Sequence, residues 1–131
     1  MIVLDTHALV WWLAEPARLS RRARSAIDQA MASRSIGVSS ISAWEIATLV
    51  KKGRHELNRD AGDWLAQAEA LPLVRFVPVD NRIALRSVRL PPPLHEDPAD
   101  RIIAATALVL GAPLVTKDRR LHDFPPLQTV W

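Results

Sequence analysis

Asp5, Glu45, Asp100 and Asp118 are the residues whose types and positions best suit catalysis. Asp5 stands between the apolar runs Ile2–Leu4 and Ala8–Leu13, where an acid is costly unless something occupies it. Asp118 lies two residues beyond an apolar run that ends near Thr116. Glu45 falls in the first turn of a helix predicted to open at Ser42-Ala43-Trp44-Glu45, and Asp100 in the first turn of one opening at Asp97-Pro98. If the strands run parallel, these acids collect at the carboxyl edge of one sheet, where helix N-termini point and ligands bind. Carboxylates that close repel and raise one another's pKa, so a positive group must share the space. The chain has no cysteine, and oxygen ligands favour a hard cation such as Mg²⁺ or Mn²⁺ over zinc or copper. The chemistry implied is hydrolysis of a phosphodiester by water activated by one or two metal ions.

Each acid also admits a structural reading. Ser42 and Glu45 have the spacing of a capping box. Asp97 has the position of an N-cap before Pro98, and Asp100 favours a helix dipole at the third helical position. Asp118 suits the start of a turn, and Asp5 the cap of a first helix. Taken singly, the structural reading is favoured for all but Asp5, whose apolar setting favours function.

The elements that must position these residues alternate strand and helix. Ile2–Leu4 reads as a strand and Thr6–Ala14 as a helix; Ser20 caps a second helix running to Ala32. Ser35–Ser39 is the second strand, and the third helix closes at Gly53. A helix over Asp60–Ala70, a strand over Leu73–Val79 and a helix over Asn81–Leu90 follow. The Pro91-Pro92-Pro93 linker is one that no helix crosses. A helix from Asp97 to Gly111, a strand over Pro113–Thr116, a turn or short helix over Asp118–Asp123 and an edge strand over Thr129–Trp131 complete the chain. The alternation predicts an α/β layer fold with a mainly parallel sheet.

The 131 residues, 49% of them apolar, suit one domain over 1–131 with one filled core. Asp5 and His7 interrupt the N-terminal apolar run too early for a signal peptide. The longest uncharged stretch, Ile102–Thr116, is shorter than the roughly 20 residues of a membrane span. A soluble, cytoplasmic protein is expected. The formal net charge of +3 mildly favours a polyanionic partner.

MIVLDTHALVWWL, SAWEIA, HEDPADRIIAATAL and LVTKDRRL, in this order, resemble the PIN domains of VapC-type toxins from bacterial toxin–antitoxin pairs. The resemblance implies a PIN-like three-layer α/β/α fold, with a short, mainly parallel sheet flanked by helices. It also implies an acidic pocket for Mg²⁺ or Mn²⁺, endoribonuclease activity, a homodimer and an inhibiting antitoxin. Matched residue by residue, Asp5, Glu45, Asp100 and Asp118 correspond to the family's acidic quartet, and Thr6 and Thr116 to its hydroxyl positions. Asp5, Asp100 and Asp118 are the expected metal ligands. Glu45 is the candidate for orienting a water or accepting its proton. Asp97 and Asp100 both lie near one expected ligand position; Asp100 is preferred because Asp97 has a complete role as cap.

Among the remaining residues, Arg119 and Arg120 are equally suited to holding RNA phosphates and to a solvated surface. Arg18, Arg21, Arg22, Arg24, Lys51, Lys52 and Arg54 read better as solvated, and Arg101 as a partner for a neighbouring acid. His95 is expected to support the site rather than to bind metal, and His7, His55 and His122 lack metal-ligand spacing. The tryptophans are expected mainly in the core, although adjacent Trp11 and Trp12 cannot share one helix face, which points one of them to a dimer or antitoxin surface. A receiver domain needs an acidic pair after its first strand and a dehalogenase-like phosphatase needs Asp-x-Asp; here Asp5 stands alone and position 7 is His. The stronger alternative is a catalytically silent PIN-like module that binds RNA or protein.

Overall fold

The strands Ile2–Leu4 (β1), Ile36–Ser39 (β2), Val74–Val77 (β3), Leu114–Val115 (β4) and Thr129–Val130 (β5) form one sheet in the order β3-β2-β1-β4-β5. The computed structural model describes residues 1–53, 57 and 59–131; Arg54 and His55, named above, lie outside the described residues. Every pairing is parallel, where a mainly parallel sheet was expected. The helices are Thr6–Ala14 (α1), Arg21–Ala32 (α2), Ile41–Lys51 (α3), Ala61–Glu69 (α4), Asn81–Arg89 (α5), Pro98–Leu110 (α6) and Arg119–His122 (α7), with a 3-10 turn at Pro16–Arg18. They supply the crossovers that parallel strands require.

The three layers follow from the period of two along buried strands. In β1, Ile2 and Leu4 face one apolar cluster with Leu9, Ile27, Ile46 and Trp64. Val3 faces the other, with Ile83, Ile103, Leu114, Leu121 and Phe124. In β4 the adjacent Leu114 and Val115 divide the same way. All three β1 residues are buried, so the strand carrying Asp5 at its end is enclosed on both faces. The small residues Ala99, Ala104, Ala105 and Ala107 are buried on α6, which lets that helix sit close against its neighbours.

Caps fix where the site helices begin. Asp5 caps α1 by accepting the Thr6 N–H. Asp97 caps α6 through the Ala99 and Asp100 N–H groups, with Pro98 in the first turn. Gly111 ends α6 at φ +63°, a left-handed conformation that glycine adopts without a Cβ penalty.

Four readings of the sequence are corrected. Helix α3 starts at Ile41, one residue before the expected opening, and the Ser42–Glu45 capping box does not form. Ser42 is instead buried inside the helix with its hydroxyl 2.8 Å from that of Thr6. Strand β3 stops at Val77 because Pro78 has no N–H to continue the ladder. Among the described residues Arg101 pairs with no acid; it donates to the carbonyls of Ser87, Val88, Leu90, Leu94 and His95. Trp64 is core as expected, but Trp44 is 60% exposed. Among the described residues no helix is long and apolar enough to cross a membrane.

Candidate active site

Asp5, Glu45, Asp97, Asp100 and Asp118 line one cavity of about 430 Å³ at the carboxyl edge of the sheet. The edge is a switch point: from β1 the sheet continues to β2 on one side and to β4 on the other. Asp5 follows β1, Glu45 rides the helix after β2, and Asp118 follows β4. Asp100 reaches the same space from the first turn of α6.

Hydroxyls hold the carboxylates in place. Asp5 is buried and both its oxygens are engaged, Oδ1 by the Thr6 N–H at 2.8 Å and Oδ2 by the Thr116 hydroxyl at 2.6 Å. The Thr116 hydroxyl also accepts the Asp118 N–H at 3.0 Å. The Thr6 hydroxyl donates to Glu45 Oε1 at 2.5 Å. One hydroxyl therefore links Asp5 to Asp118, and the threonine after Asp5 links it to Glu45. Asp97 stands at the exposed rim of the cavity as the cap of α6, its Oδ1 accepting the Ala99 and Asp100 N–H groups, while Asp100 is buried.

Asp100 Oδ2 is shared by His95 Nε2 at 2.7 Å and by the Arg120 guanidinium at 3.4 Å. Arg120 also forks onto Asp118, donating to Oδ1 at 3.2 Å and Oδ2 at 2.9 Å. Ligand atoms of His95, Asp100 and Asp118 all lie within 4.8 Å of one another. This grouping differs from the expected trio by placing His95 where Asp5 was anticipated. Its Nδ1 is buried without a hydrogen-bond partner among the described residues.

The acids do not share one electrostatic state. Burial lifts Glu45 to about 7, assisted by the charges of Asp5, Asp100 and Asp97 and opposed by the Thr6 hydrogen bond. Asp100 is raised for the same reason, burial first and neighbouring acids next, against the His95 hydrogen bond. Burial also works to raise Asp118, but the Arg120 fork and the Arg120 N–H outweigh it and hold the group low. Five acids thus face one cavity in which Arg120 is the cation that pairs with them among the described residues. This surplus of negative charge, presented by oxygen donors and one imidazole, suits a bound divalent cation.

Sequence reasoning did not anticipate Ser42, His7, Trp11 or Arg18 at the site. Ser42 touches Thr6, while His7 Nδ1 faces Asp5 Oδ2 from 3.6 Å. Trp11 and Arg18 line the cavity wall. Only Arg18 carried a signal, its charge within a basic run, and that run read as a solvated face.

Comparison with known proteins gives the family and the fold. The PIN domain family matches residues 2–125. Ribonuclease VapC22 of Mycobacterium tuberculosis (strain ATCC 25618 / H37Rv) is 42% identical over 132 aligned residues, which cover 99% of this chain and 98% of the relative. The fold matches a crystal structure of VapBC2 from Rickettsia felis bound to a DNA fragment from their promoter, with a TM-score of 0.73 at 18% identity over 98% of this chain and 97% of the other. It also matches a toxin–antitoxin complex from Klebsiella pneumoniae, with a TM-score of 0.65 at 22% identity over 97% and 95% of the two chains.

Proposed function

The chain belongs to the PIN domain family, and from that premise we infer that it is a metal-dependent endoribonuclease serving as the toxin of a toxin–antitoxin pair. The observation that carries this reading is the convergence of Asp5, Glu45, Asp100 and Asp118, from four separate elements, on one cavity where hydroxyl links fix the carboxylates of Asp5 and Glu45. Side chains paired only for stability would have no reason to gather so much like charge at the switch point of the sheet.

Asp5, Asp100 and Asp118 are the residues assigned to hold the ion, with His95 within reach of the last two. The oxygen-rich donor set favours Mg²⁺ or Mn²⁺. When bound, such an ion supplies positive charge for the phosphate oxygens and acidity for the attacking water. Thr116 orients Asp5 and the Asp118 backbone at once, and Thr6 fixes Glu45 Oε1. The pKa of Glu45, about 7, suits a group that takes a proton from water near neutral pH at its other oxygen. Arg119 and Arg120 are exposed on α7 beside Asp118, where they serve to hold the RNA backbone.

A cognate antitoxin is the expected inhibitor, because solved structures sharing this fold are toxin–antitoxin complexes. A homodimer is the expected assembly, and exposed Trp44 and half-buried Trp12 are side chains that such partners would cover. The deciding experiment is incubation of total cellular RNA with purified protein and with Asp5→Asn, in Mg²⁺, Mn²⁺ or EDTA. Discrete products that require metal and disappear in the variant are expected. If protein freed of antitoxin cuts nothing, or Asp5→Asn cuts equally well, the catalytic reading fails and a binding module takes its place.

A further inference from the structure

The cavity has a second wall that the acids do not use. Trp11 and Arg18 line it together, and the Arg18 guanidinium carbon lies 4.3 Å from the centre of the Trp11 ring. Lys117 Nζ approaches the same ring to 5.6 Å from the loop after β4. The ring is braced by His7 at 4.9 Å and Trp131 at 5.8 Å between centroids. His7 Nε2 accepts the Lys117 N–H at 3.0 Å, which pins that loop to α1.

Two like charges are thus gathered on one aromatic side chain, and nearby acids do little to neutralise them. The Arg18 ion pair is with Glu15 at 3.7 Å, an exposed contact of small worth. Lys117 forms no ion pair among the described residues. Arg120, by contrast, already pairs with Asp118 and Asp100, so its charge is in part neutralised. Unneutralised cations arrayed on an aromatic ring beside an acidic cleft match the surface of an unpaired nucleic-acid strand, which presents phosphates and open base faces at regular intervals.

We propose that Arg18, Lys117 and Trp11 form a subsite that grips the phosphodiester next to the scissile one on a single-stranded stretch of RNA. Arg18 and Lys117 hold the phosphate oxygens, and Trp11 keeps the two cations facing the strand. The subsite deepens the nuclease reading and rests on it for its ligand. It also divides the labour of the cavity: the acid side attends to the bond being cut, and the tryptophan side to register along the strand.

The test is binding rather than turnover. A fluorescein-labelled single-stranded RNA of mixed sequence is titrated with intact protein in Ca²⁺, across a salt series, by anisotropy. Arg18→Ala and Lys117→Ala are each expected to raise Kd by about 3- to 10-fold and to reduce the salt slope by about 0.7, the share of one phosphate contact in a single strand. Arg22→Ala, which removes the same charge from the exposed face of α2, is the control and should change little. Trp11→Leu should weaken binding in the wild-type background but add little to Arg18→Ala, because the two side chains act together. Melting temperatures establish that the variants are folded, and Arg18→Lys should retain most of the affinity. Shifts in Kd and slope no larger than those of Arg22→Ala, or no RNA binding by the wild type, would overturn the subsite. Cleavage in Mg²⁺ is followed separately: a wild type that binds in this variant-sensitive way yet never cuts would sink the nuclease reading and, with it, the placement beside a scissile bond, leaving Arg18, Lys117 and Trp11 as an RNA grip alone.

Discussion

Thr116 and Asp5, 111 residues apart in sequence, meet in a hydrogen bond of 2.6 Å from the threonine hydroxyl to Asp5 Oδ2. Because the same hydroxyl accepts the Asp118 N–H at 3.0 Å, one side chain sets the spacing between two acids from opposite ends of the chain. Its donor capacity is spent on Asp5 and an acceptor site on Asp118, so no isosteric apolar group can replace it.

Thr116→Val should therefore keep the fold while loosening both acids. A fall of about 10- to 100-fold in metal affinity or cleavage rate is expected, the usual cost of losing a group that orients ligands. Thr116→Ser should recover most of it. Calorimetric titration with Mn²⁺ and a cleavage assay read the two quantities. Unchanged metal binding in Thr116→Val would show that the link is only structural.

Glu45 gives a pH prediction whose sign is fixed by its direction of shift. Its folded pKa, about 7, lies above the ordinary glutamate value of 4.5. Between those values the unfolded chain has lost a proton that the folded protein keeps, so stability contributed by this group is full below about 4.5 and declines as pH rises toward 7. Metal-free protein should thus melt at a lower temperature at pH 8 than at pH 5. Glu45→Gln should narrow that gap, raising the metal-free melting temperature at pH 8 by a few degrees, because ~1 kcal/mol moves a domain of this size by about 3–6 °C. The same variant should lose RNA cleavage. Thermal melts in EDTA at both pH values decide it, and a destabilised Glu45→Gln at pH 8 would contradict the electrostatic account.

How much of this was legible in the sequence depends on whether the information is local. The order of strands and helices was readable because N-caps such as Ser20 and Asp97, the stop at Gly111 and the apolar runs act over a few residues. Asp5 stood out because an acid between two apolar runs is expensive wherever it occurs. Glu45 was ambiguous: Ser-x-x-Glu is the same string whether the serine caps the helix or, as here, is buried in it facing Thr6. The contacts that decide between such readings, Thr6 to Glu45 and Lys117 to His7, join residues 39 and 110 positions apart. No periodicity records them. Arg101 was misread for a related reason, since its partners are backbone carbonyls and leave no mark on residue types.

Arg120 is expected to oppose the metal. Its guanidinium holds both Asp118 oxygens and reaches Asp100 Oδ2, so an arriving cation must displace part of that network. Arg120→Ala should raise Mn²⁺ affinity several-fold while weakening RNA binding, as a lost phosphate contact does. Both follow from parallel titrations with metal and with labelled RNA. Weaker metal binding in the variant would mean that Arg120 orients the acids rather than competing for them.

His95 makes the opposite prediction for metal. It donates to Asp100 Oδ2 at 2.7 Å, and its ligand atom lies within 4.8 Å of those of Asp100 and Asp118. His95→Ala should reduce Mn²⁺ affinity by about 10-fold or more, in the range of ligand-supporting groups. A variant that melts earlier but binds metal as before would confine His95 to packing.

Arg101 extends that argument from the ligand to its support. Its guanidinium accounts for the carbonyls of Ser87 at 3.0 Å, Leu90 at 2.7 Å, Leu94 at 3.2 Å and His95 at 3.1 Å, with Val88 more distant at 3.5 Å. Ser87 and Val88 lie in the last turn of α5, Leu90 is its C-cap, and Leu94 and His95 lie in the linker before α6, so neither helix satisfies these carbonyls internally. Removing the arginine leaves several partly buried acceptors unpaired, and each costs about 1–3 kcal/mol where water cannot replace the donor. Solvent near the linker reduces that sum, so Arg101→Ala should destabilise the protein by ~2–4 kcal/mol. Arg101→Lys should fall between, because an ammonium cannot reach all the carbonyls that a planar fork spans. The His95 carbonyl is one of the five, so metal affinity should fall together with stability in Arg101→Ala, whereas Arg120→Ala should raise it. Denaturant melts paired with Mn²⁺ titrations separate the two arginines. If Arg101→Ala lost stability without losing metal affinity, the α5–α6 linker would be holding the fold and not the site.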